Sequence, residues 1–360
     1  MNATANKAPV IVVGGGIGGL STALALSRKG VPVQVLEQAP EFMEIGAGIQ
    51  LGPNVFRMFE VLGLTKQMFH WCAFPEGLEF RDSINAETIV DMRIDKRFHD
   101  KYHAPYGVIH RADMLNVILD ACKKSNLIKL ATSQKVISID DTGSGVSVTT
   151  DGGEIYRGAA LIGCDGLWST VREKIVGDGK PVVSGHIAYR AVLPTSEWPK
   201  EYRLPKMIVW CGEKTHLVHY PLRRGELFNL VAVFHSDRYE EGWDTFGDPE
   251  ELHARFADKC EAVRTLLQKV NSWKMWVLCD RPAIKNWGKG RITLLGDAAH
   301  KGAFDQGMAI ASGVNRELRN KLLREWSEEG SLDMSWLYGH QPELPPVGNI
   351  PMPLPTRLAS

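Results

Sequence analysis

The strongest constraint on this chain lies in its first forty residues. After Pro9, Val10-Ile11-Val12-Val13 is a continuous β-branched run of the kind expected when a parallel sheet buries a strand on both faces. Gly14-Gly15-Gly16-Ile17-Gly18-Gly19 follows at once and satisfies G-x-G-x-x-G. Leu20 to Lys29 then reads as an Ala- and Leu-rich helix that stops at Gly30, and Val31 to Leu36 as a second strand ending in Glu37. Glycines make the tight turn, let backbone N–H groups approach a pyrophosphate and allow close packing of helix on strand, while the terminal acid accepts hydrogen bonds from a ribose. A glycine-rich stretch alone is weak, but strand, glycines, helix, strand and acid together give the βαβ context that the motif needs. A dinucleotide is therefore expected. NAD and FAD both present adenosine diphosphate to such a unit, so the motif leaves the choice between them open.

Composition narrows the partner. The chain has 360 residues, enough for two or three ordinary units, and 42 Lys plus Arg balance 42 Asp plus Glu. Zero net charge argues against nucleic acid or a polybasic membrane surface and favours a small molecule. Cys72, Cys122, Cys164, Cys211, Cys260 and Cys279 are scattered without a C-x-x-C pair, so neither a metal cluster nor a disulfide framework is expected. No apolar run reaches the roughly 18 residues of a membrane span, and no signal segment precedes the glycines. A cytoplasmic location is expected.

Further segments carry chemistry. Gly46-Ala47-Gly48-Ile49-Gln50-Leu51-Gly52-Pro53-Asn54 follows the first unit, and His110-Arg111-Ala112-Asp113-Met114-Leu115 comes later. Asp165-Gly166-Leu167-Trp168-Ser169-Thr170-Val171-Arg172 follows the apolar strand Ala159 to Gly163. Ile292-Thr293-Leu294-Leu295 is an apolar strand ending in Gly296-Asp297-Ala298-Ala299-His300, which stands a carboxylate at the carboxyl end of a sheet strand, where α/β proteins place ligands. In this order the segments resemble the single-component FAD-dependent aromatic hydroxylases. The resemblance runs from about residue 8 to 300 and chooses FAD. It implies cofactor contacts from Gly14, Gly16, Ile17, Gly18, Gly19, Glu37, Gln38, Gly48, Gln50, Arg111, Asp165 and Asp297. For Asp165 a plain N-cap or turn role stands beside the ligand role, and for Arg111 a surface ion pair does.

The middle of the chain, from about 173 to 285, reads as alternating strands and short helices without a second glycine fingerprint, a substrate domain by elimination. In Thr215-His216-Leu217-Val218-His219-Tyr220-Pro221 the two histidines suggest a metal pair, but the flanking residues favour a strand. Its period of 2 sends His216 and His219 to opposite faces, so no metal site is expected, and His216, Val218 and Tyr220 share one face. From the residues alone, core packing is the plainer account of His216 and Tyr220. The stretch is similar, however, to the substrate strands of the 3-hydroxybenzoate 6-hydroxylase subgroup. That likeness implies substrate contact by His216, Tyr220 and Tyr106, with His216 and Tyr220 as the catalytic pair. It also implies the reaction: NAD(P)H reduces FAD, dioxygen gives a flavin C4a-hydroperoxide, and a bound phenol is hydroxylated, 3-hydroxybenzoate becoming 2,5-dihydroxybenzoate. A salicylate 1-monooxygenase or a hydroxynicotinate hydroxylase is the near alternative, and a flavin-binding protein without hydroxylase activity is the alternative of another class.

The expected architecture is α/β: a Rossmann-like FAD-binding domain (1–80, 100–175, 285–310) interleaved with a mixed β-sheet substrate domain (81–99, 176–284), then a C-terminal helical part and Pro-rich tail (311–360). The resemblance favours a homodimer. After His300 the family pattern of a proline, a loop and a helix is replaced by Lys301 to Ile310, where Gln306-Gly307 is a shortened echo. Either several dozen residues are omitted there or the flavin wall carries a deletion, and we prefer the first. Asn315 to Glu329 reads as a helix closed by Gly330, with Val314, Leu318, Leu322 and Trp326 on one apolar stripe.

Overall fold

A computed structural model describes residues 8–43, 46–236, 245–300, 312, 313, 315–328, 350, 351, 353, 356 and 358. It divides into two compact units, and each is built on its own sheet.

The first unit comprises the described residues of Met1–Ile45, Ala112–Val182 and Cys279–Ala303. Its six-stranded sheet runs Gly288–Lys289, Ile292–Leu294, Ala160–Gly163, Val10–Val13, Val33–Leu36, Ile128–Ala131. All pairings are parallel except the edge pair of Gly288–Lys289 with Ile292–Leu294. Val13 registers with Gly163 on one side and Leu36 on the other, so these strands end level. The helix Ile17–Arg28 buries Leu20, Ala23, Leu24 and Ser27, one face at helical spacing, and Gly30 takes the left-handed conformation that ends it (φ 72°). The three-stranded antiparallel sheet Val136–Asp141, Val146–Thr150, Ile155–Gly158 completes the unit, with Val136, Ile139, Val146 and Val148 in the same apolar cluster as Ile11, Val13 and Leu161.

The second unit comprises the described residues of Gly46–Arg111, Val183–Leu278 and Phe304–Ser360. Its eight-stranded sheet is ordered Thr245–Phe246, Lys274–Asp280, Val182–Pro194, Leu227–His235, Thr215–Leu222, Met207–Gly212, Gly77–Asp82, Thr88–Arg93. One face takes Leu252 and Phe256 from the region of the helix Pro249–Arg255, and Val263, Leu266 and Leu267 from the helix Glu261–Gln268, onto Leu217, Phe228, Leu230 and Phe234. The other face carries Val218, Tyr220, Val209 and Phe80 beneath Tyr106, Val108 and Leu323. Gly48–Leu51 and Gly107–His110 pair antiparallel, and the Gly48 N–H donates to Asn229 Oδ1 at 2.8 Å. This pairing explains why residues 46–80 and 100–111 compact with the large sheet, where the sequence grouped them with the glycine-rich unit.

The C-terminal helix, Arg316–Glu328, differs from the expected apolar stripe. Leu318 and Leu322 are 51% and 39% exposed, whereas Arg319 and Leu323 are buried. The fully buried Asp82 carboxylate is the cause: it accepts hydrogen bonds from Arg316, Arg319 and Asn320, which turns the polar side of the helix inward. Val314, the side chain of Trp326, Gly330 and residues 301–311 with Gln306-Gly307 lie outside the described residues.

Close approach fixes the first turn. A Cβ at Gly19 would stand 1.9 Å from the Gly14 carbonyl oxygen, a backbone atom that cannot swing aside. Gly19→Ala is therefore expected to lower stability by about 2 kcal/mol or more, measured as a drop in the urea midpoint with an unchanged slope.

Candidate active site

The level strand ends of the first unit gather four features on one carboxyl edge: the glycine turn after Val13, Glu37 after Leu36, Asp165 two residues after Gly163, and Asp297 in the 3₁₀ turn Gly296–Ala298 after Ile292–Leu294. Gly14 adopts φ 103°, and a Cβ there would lie 2.3 Å from the Cys164 oxygen, so only glycine lets the turn pass this strand end. Gly16 is the N-cap of the helix Ile17–Arg28; it supplies no side-chain cap, and the first turn holds no acid. The helix start therefore offers backbone N–H groups and the positive end of its dipole to an anion, at a turn where Gly14, Gly15 and Gly19 have no room for a Cβ. Glu37 Oε2 accepts from the Gly15 N–H at 2.6 Å and Oε1 from the Ala39 N–H at 2.8 Å, so its carboxylate shapes the turn. Gln38 and Asp297 are exposed.

Asp165 plays a local structural part. Its carboxylate accepts from Ser169 Oγ at 2.5 Å and the Val171 N–H at 3.1 Å, and Ser169 caps the helix Thr170–Ile175. Burial raises its pKa against these bonds. Arg172, from the same segment, is fully buried and joins it to the Gly296–His300 turn: Nη1 donates to the carbonyls of Ala298 and Ala299 at 3.1 and 2.9 Å, and Nη2 to Pro282 at 2.8 Å. Asp178 pairs with the same guanidinium at 2.5 Å. The sequence quoted Arg172 only as a motif member; here it locks the turn that carries Asp297.

In the second unit, Gly48 and Gln50 lie on the strand Gly48–Leu51, and Arg111 begins the helix Arg111–Lys123, its N–H donating to the Ala47 carbonyl at 3.2 Å. Thus Gly14, Gly16, Ile17, Gly18, Gly19, Glu37, Gln38, Asp165 and Asp297 belong to one unit and Gly48, Gln50 and Arg111 to the other.

The strand Thr215–Leu222 is buried at all eight positions. His216, Val218 and Tyr220 share one face, as alternation requires, and His219 takes the other, with its ring 5.2 Å from Trp198 and 6.5 Å from Phe228. Among the described residues no group of three His, Cys, Asp or Glu is placed to hold a metal ion. Burial first, and then His186, pushes the His216 pKa down to about 3, so its imidazole is neutral near pH 7. Its Nδ1 lies 2.6 Å from Ser312 Oγ. Burial pushes the Tyr220 pKa up, against Arg190 and Arg111, and keeps it a phenol. The Tyr220 ring lies against Gly48, where a Cβ would come within 2.5 Å of it. Tyr106 belongs to the same apolar cluster and donates to Gln50 Oε1 at 2.6 Å.

Arg190 is the residue that sequence reasoning missed. It registers with Val231, and Val231 with Val218, so it stands on the face of His216 and Tyr220 between their rows. Its guanidinium lies 5.0 Å from the Trp276 ring centre, its buried Nε has no hydrogen-bond partner among the described residues, and it lines a cleft of about 380 Å³ with Gly46, Ala47, Val192, Lys274 and Trp276. A cation inside the otherwise apolar run Ile187 to Leu193 was the available signal.

The other face offers a test. Burial first, and then Arg81, lowers the His219 pKa to about 3, and neither ring nitrogen has a hydrogen-bond partner among the described residues. Unfolded, an imidazole takes up a proton below about pH 6.5, so between that pH and about 3 the unfolded chain binds more protons and stability falls as pH falls. His219→Phe is expected to remove about one proton from the uptake on unfolding near pH 5, measured from urea stability across that window.

Comparison with known proteins follows the same lines. A family model described as FAD binding domain matches residues 7–330. 3-Hydroxybenzoate 6-hydroxylase 1 of Aquipseudomonas alcaligenes is 41% identical over 291 residues, covering 81% of this chain and 74% of the relative. 3-Hydroxybenzoate 6-hydroxylase of Polaromonas naphthalenivorans strain CJ2 is 41% identical over 292 residues, covering 81% and 73%. The crystal structure of Klebsiella pneumoniae HpxO complexed with FAD and uric acid superposes with a TM-score of 0.72 at 20% identity, covering 92% of each chain, a likeness of fold. The uncapped helix start and glycine turn fit the pyrophosphate of FAD, and the chain belongs to the FAD-dependent aromatic hydroxylase family.

Proposed function

We propose that this chain hydroxylates 3-hydroxybenzoate to 2,5-dihydroxybenzoate with NAD(P)H and dioxygen. The observation that carries the proposal is the 41% identity to 3-hydroxybenzoate 6-hydroxylases over 81% of the chain. The sheet face that holds His216, Arg190 and Tyr220 supplies the groups such a substrate needs.

FAD, when bound, supplies the electron transfer and oxygen activation that no side chain can. Gly14, Gly16, Ile17, Gly18 and Gly19 would hold its pyrophosphate, Glu37 and Gln38 its adenosine end, and Asp297 its ribityl hydroxyls, with Asp165 shaping the strand end; the family resemblance assigns cofactor contact to Gly48, Gln50 and Arg111 as well.

The protein's own residues then manage charge and protons. The substrate is a carboxylate with a phenol, and its ring reacts more readily as the phenolate. Arg190, a half-buried cation whose buried Nε has no hydrogen-bond partner among the described residues, is suited to the carboxylate by a charge-assisted bond. His216, held neutral by burial, is suited to accept the phenol proton. The low pKa makes it a weak base alone, but a phenolate and an imidazolium side by side stabilise each other in a dry site. Tyr220, a buried phenol, is suited to donate to a substrate oxygen, and Tyr106, whose O–H is given to Gln50, is suited to accept from the substrate through its hydroxyl oxygen. Buried apolar neighbours such as Val218 and Val209 exclude water, which protects an oxygen-activating centre from wasteful peroxide release.

Three measurements test this. The purified protein is expected to be yellow, to oxidise NADH faster with 3-hydroxybenzoate than with salicylate or hydroxynicotinate, and to release 2,5-dihydroxybenzoate; a decarboxylated product, or bound flavin without any product, would replace the proposal with one of its alternatives. His216→Ala is expected to retain FAD and lose about 100-fold or more in kcat, and wild-type turnover would sink the assignment. Arg190→Gln is expected to raise KM for the aromatic acid about 10- to 100-fold with FAD still bound, measured by steady-state kinetics.

A further inference from the structure

One row of the large sheet links the candidate base to a carboxylate two strands away. His216 registers with Cys211, and Cys211 with Asp82, so Asp82 and His216 lie on the same face, about 10 Å apart by strand spacing. The first turns of the C-terminal helix meet one end of that row, and Ser312, which precedes the helix in sequence, meets the other. At one end, Asp82 Oδ2 accepts from Arg316 Nε at 2.8 Å, Arg319 Nη2 at 2.8 Å and Asn320 Nδ2 at 2.9 Å, while Oδ1 accepts from the Ile84 and Asn85 N–H groups at 2.9 and 3.4 Å. Asn315 Oδ1 caps the helix by accepting from the Leu318 N–H at 2.9 Å, and at the other end of the row Ser312 receives the Lys214 N–H on its carbonyl at 2.9 Å. Ser312 is itself buried, with its hydroxyl 2.6 Å from His216 Nδ1.

A buried ion cluster of this kind contributes little net stability compared with an apolar replacement, because desolvation offsets the attraction. Its effect here is positional. It holds the helix with Leu318 and Leu322 outward, against the apolar preference of the sequence. A hydroxyl can donate to or accept from an imidazole nitrogen, so the Ser312 bond fixes the ring's rotation in either tautomer.

We infer that Asp82 and Ser312 form a positioning device for His216: Asp82 anchors the helix Arg316–Glu328, the anchored helix helps to place Ser312, and the Ser312 hydroxyl fixes the rotation of the imidazole through Nδ1. Asp82 and Ser312 are positioning residues, not catalytic ones. The catalytic consequence rests on the proposed role of His216; the orientation of its ring does not.

The test uses the FAD-loaded protein with ¹⁵N-labelled histidine and no aromatic acid. His216→Gln identifies the His216 signals among the 11 histidines. The wild type is expected to show a neutral His216 with a hydrogen-bonded Nδ1. Ser312→Ala should shift the Nδ1 resonance as that bond is lost, with the flavin spectrum unchanged, and Ser312→Thr should restore it. Asp82→Asn should produce the same change with Ser312 in place; should that variant not fold, Asn320→Ala, which removes one of the three side-chain donors, is expected to give it in smaller measure. In turnover, Ser312→Ala should lower kcat about tenfold with KM within about threefold, as expected for a lost proton-handling contact. An unchanged His216 pattern in Ser312→Ala overturns the inference, and a change there without one in Asp82→Asn or Asn320→Ala overturns the role of Asp82. Absence of hydroxylation by the wild type would remove the proposed function but leave the Nδ1 result readable.

Discussion

Complete burial of the strand Thr215–Leu222 governs the second unit. A strand wet on one face can send polar residues to water; this one cannot, so each polar group is either satisfied inside the protein or remains unsatisfied at a cost. His216 is bonded to Ser312, whereas His219 lies beside Trp198 and Phe228 with both nitrogens unpaired among the described residues. The same residue type, three positions apart, thus enters two different environments. Both imidazoles are kept neutral by burial, but only His216 shares a face with Arg190 and Tyr220.

The first unit follows from a different constraint, the level ending of parallel strands. Because Val13, Leu36, Gly163 and Leu294 finish side by side, residues far apart in sequence meet at one edge, and a dinucleotide needs several such groups together. Glycine is required where the turn passes Cys164 and where the helix meets the turn, while Arg172 ties the Asp165 segment to the Asp297 turn through carbonyl oxygens. The two late fingerprints are thereby one structural assembly.

Much of this was legible in the sequence. Val10–Val13 was visible as a β-branched run, the helix as Ala- and Leu-rich spacing between glycines, and the opposite faces of His216 and His219 as simple alternation. Three things were not. Arg190 sits in an apolar strand, and nothing local distinguishes an edge charge from one drawn inward by a cleft. The pairing of Gly48–Leu51 with Gly107–His110 joins segments about sixty residues apart, so their grouping with the large sheet had no local signature. The orientation of the C-terminal helix reversed because a buried carboxylate outweighed an apolar stripe, and Asp82 lies more than two hundred residues away from the helix it turns.

The central claim is that the aromatic acid occupies the His216 face of the sheet. The most direct measurement is the dissociation constant of 3-hydroxybenzoate, read from the flavin absorbance change, in wild type, Arg190→Gln and His219→Phe. The account predicts a constant within about twofold of wild type for His219→Phe and at least about tenfold weaker binding for Arg190→Gln. Binding undiminished in Arg190→Gln but lost in His219→Phe, with flavin retained in both, would contradict it.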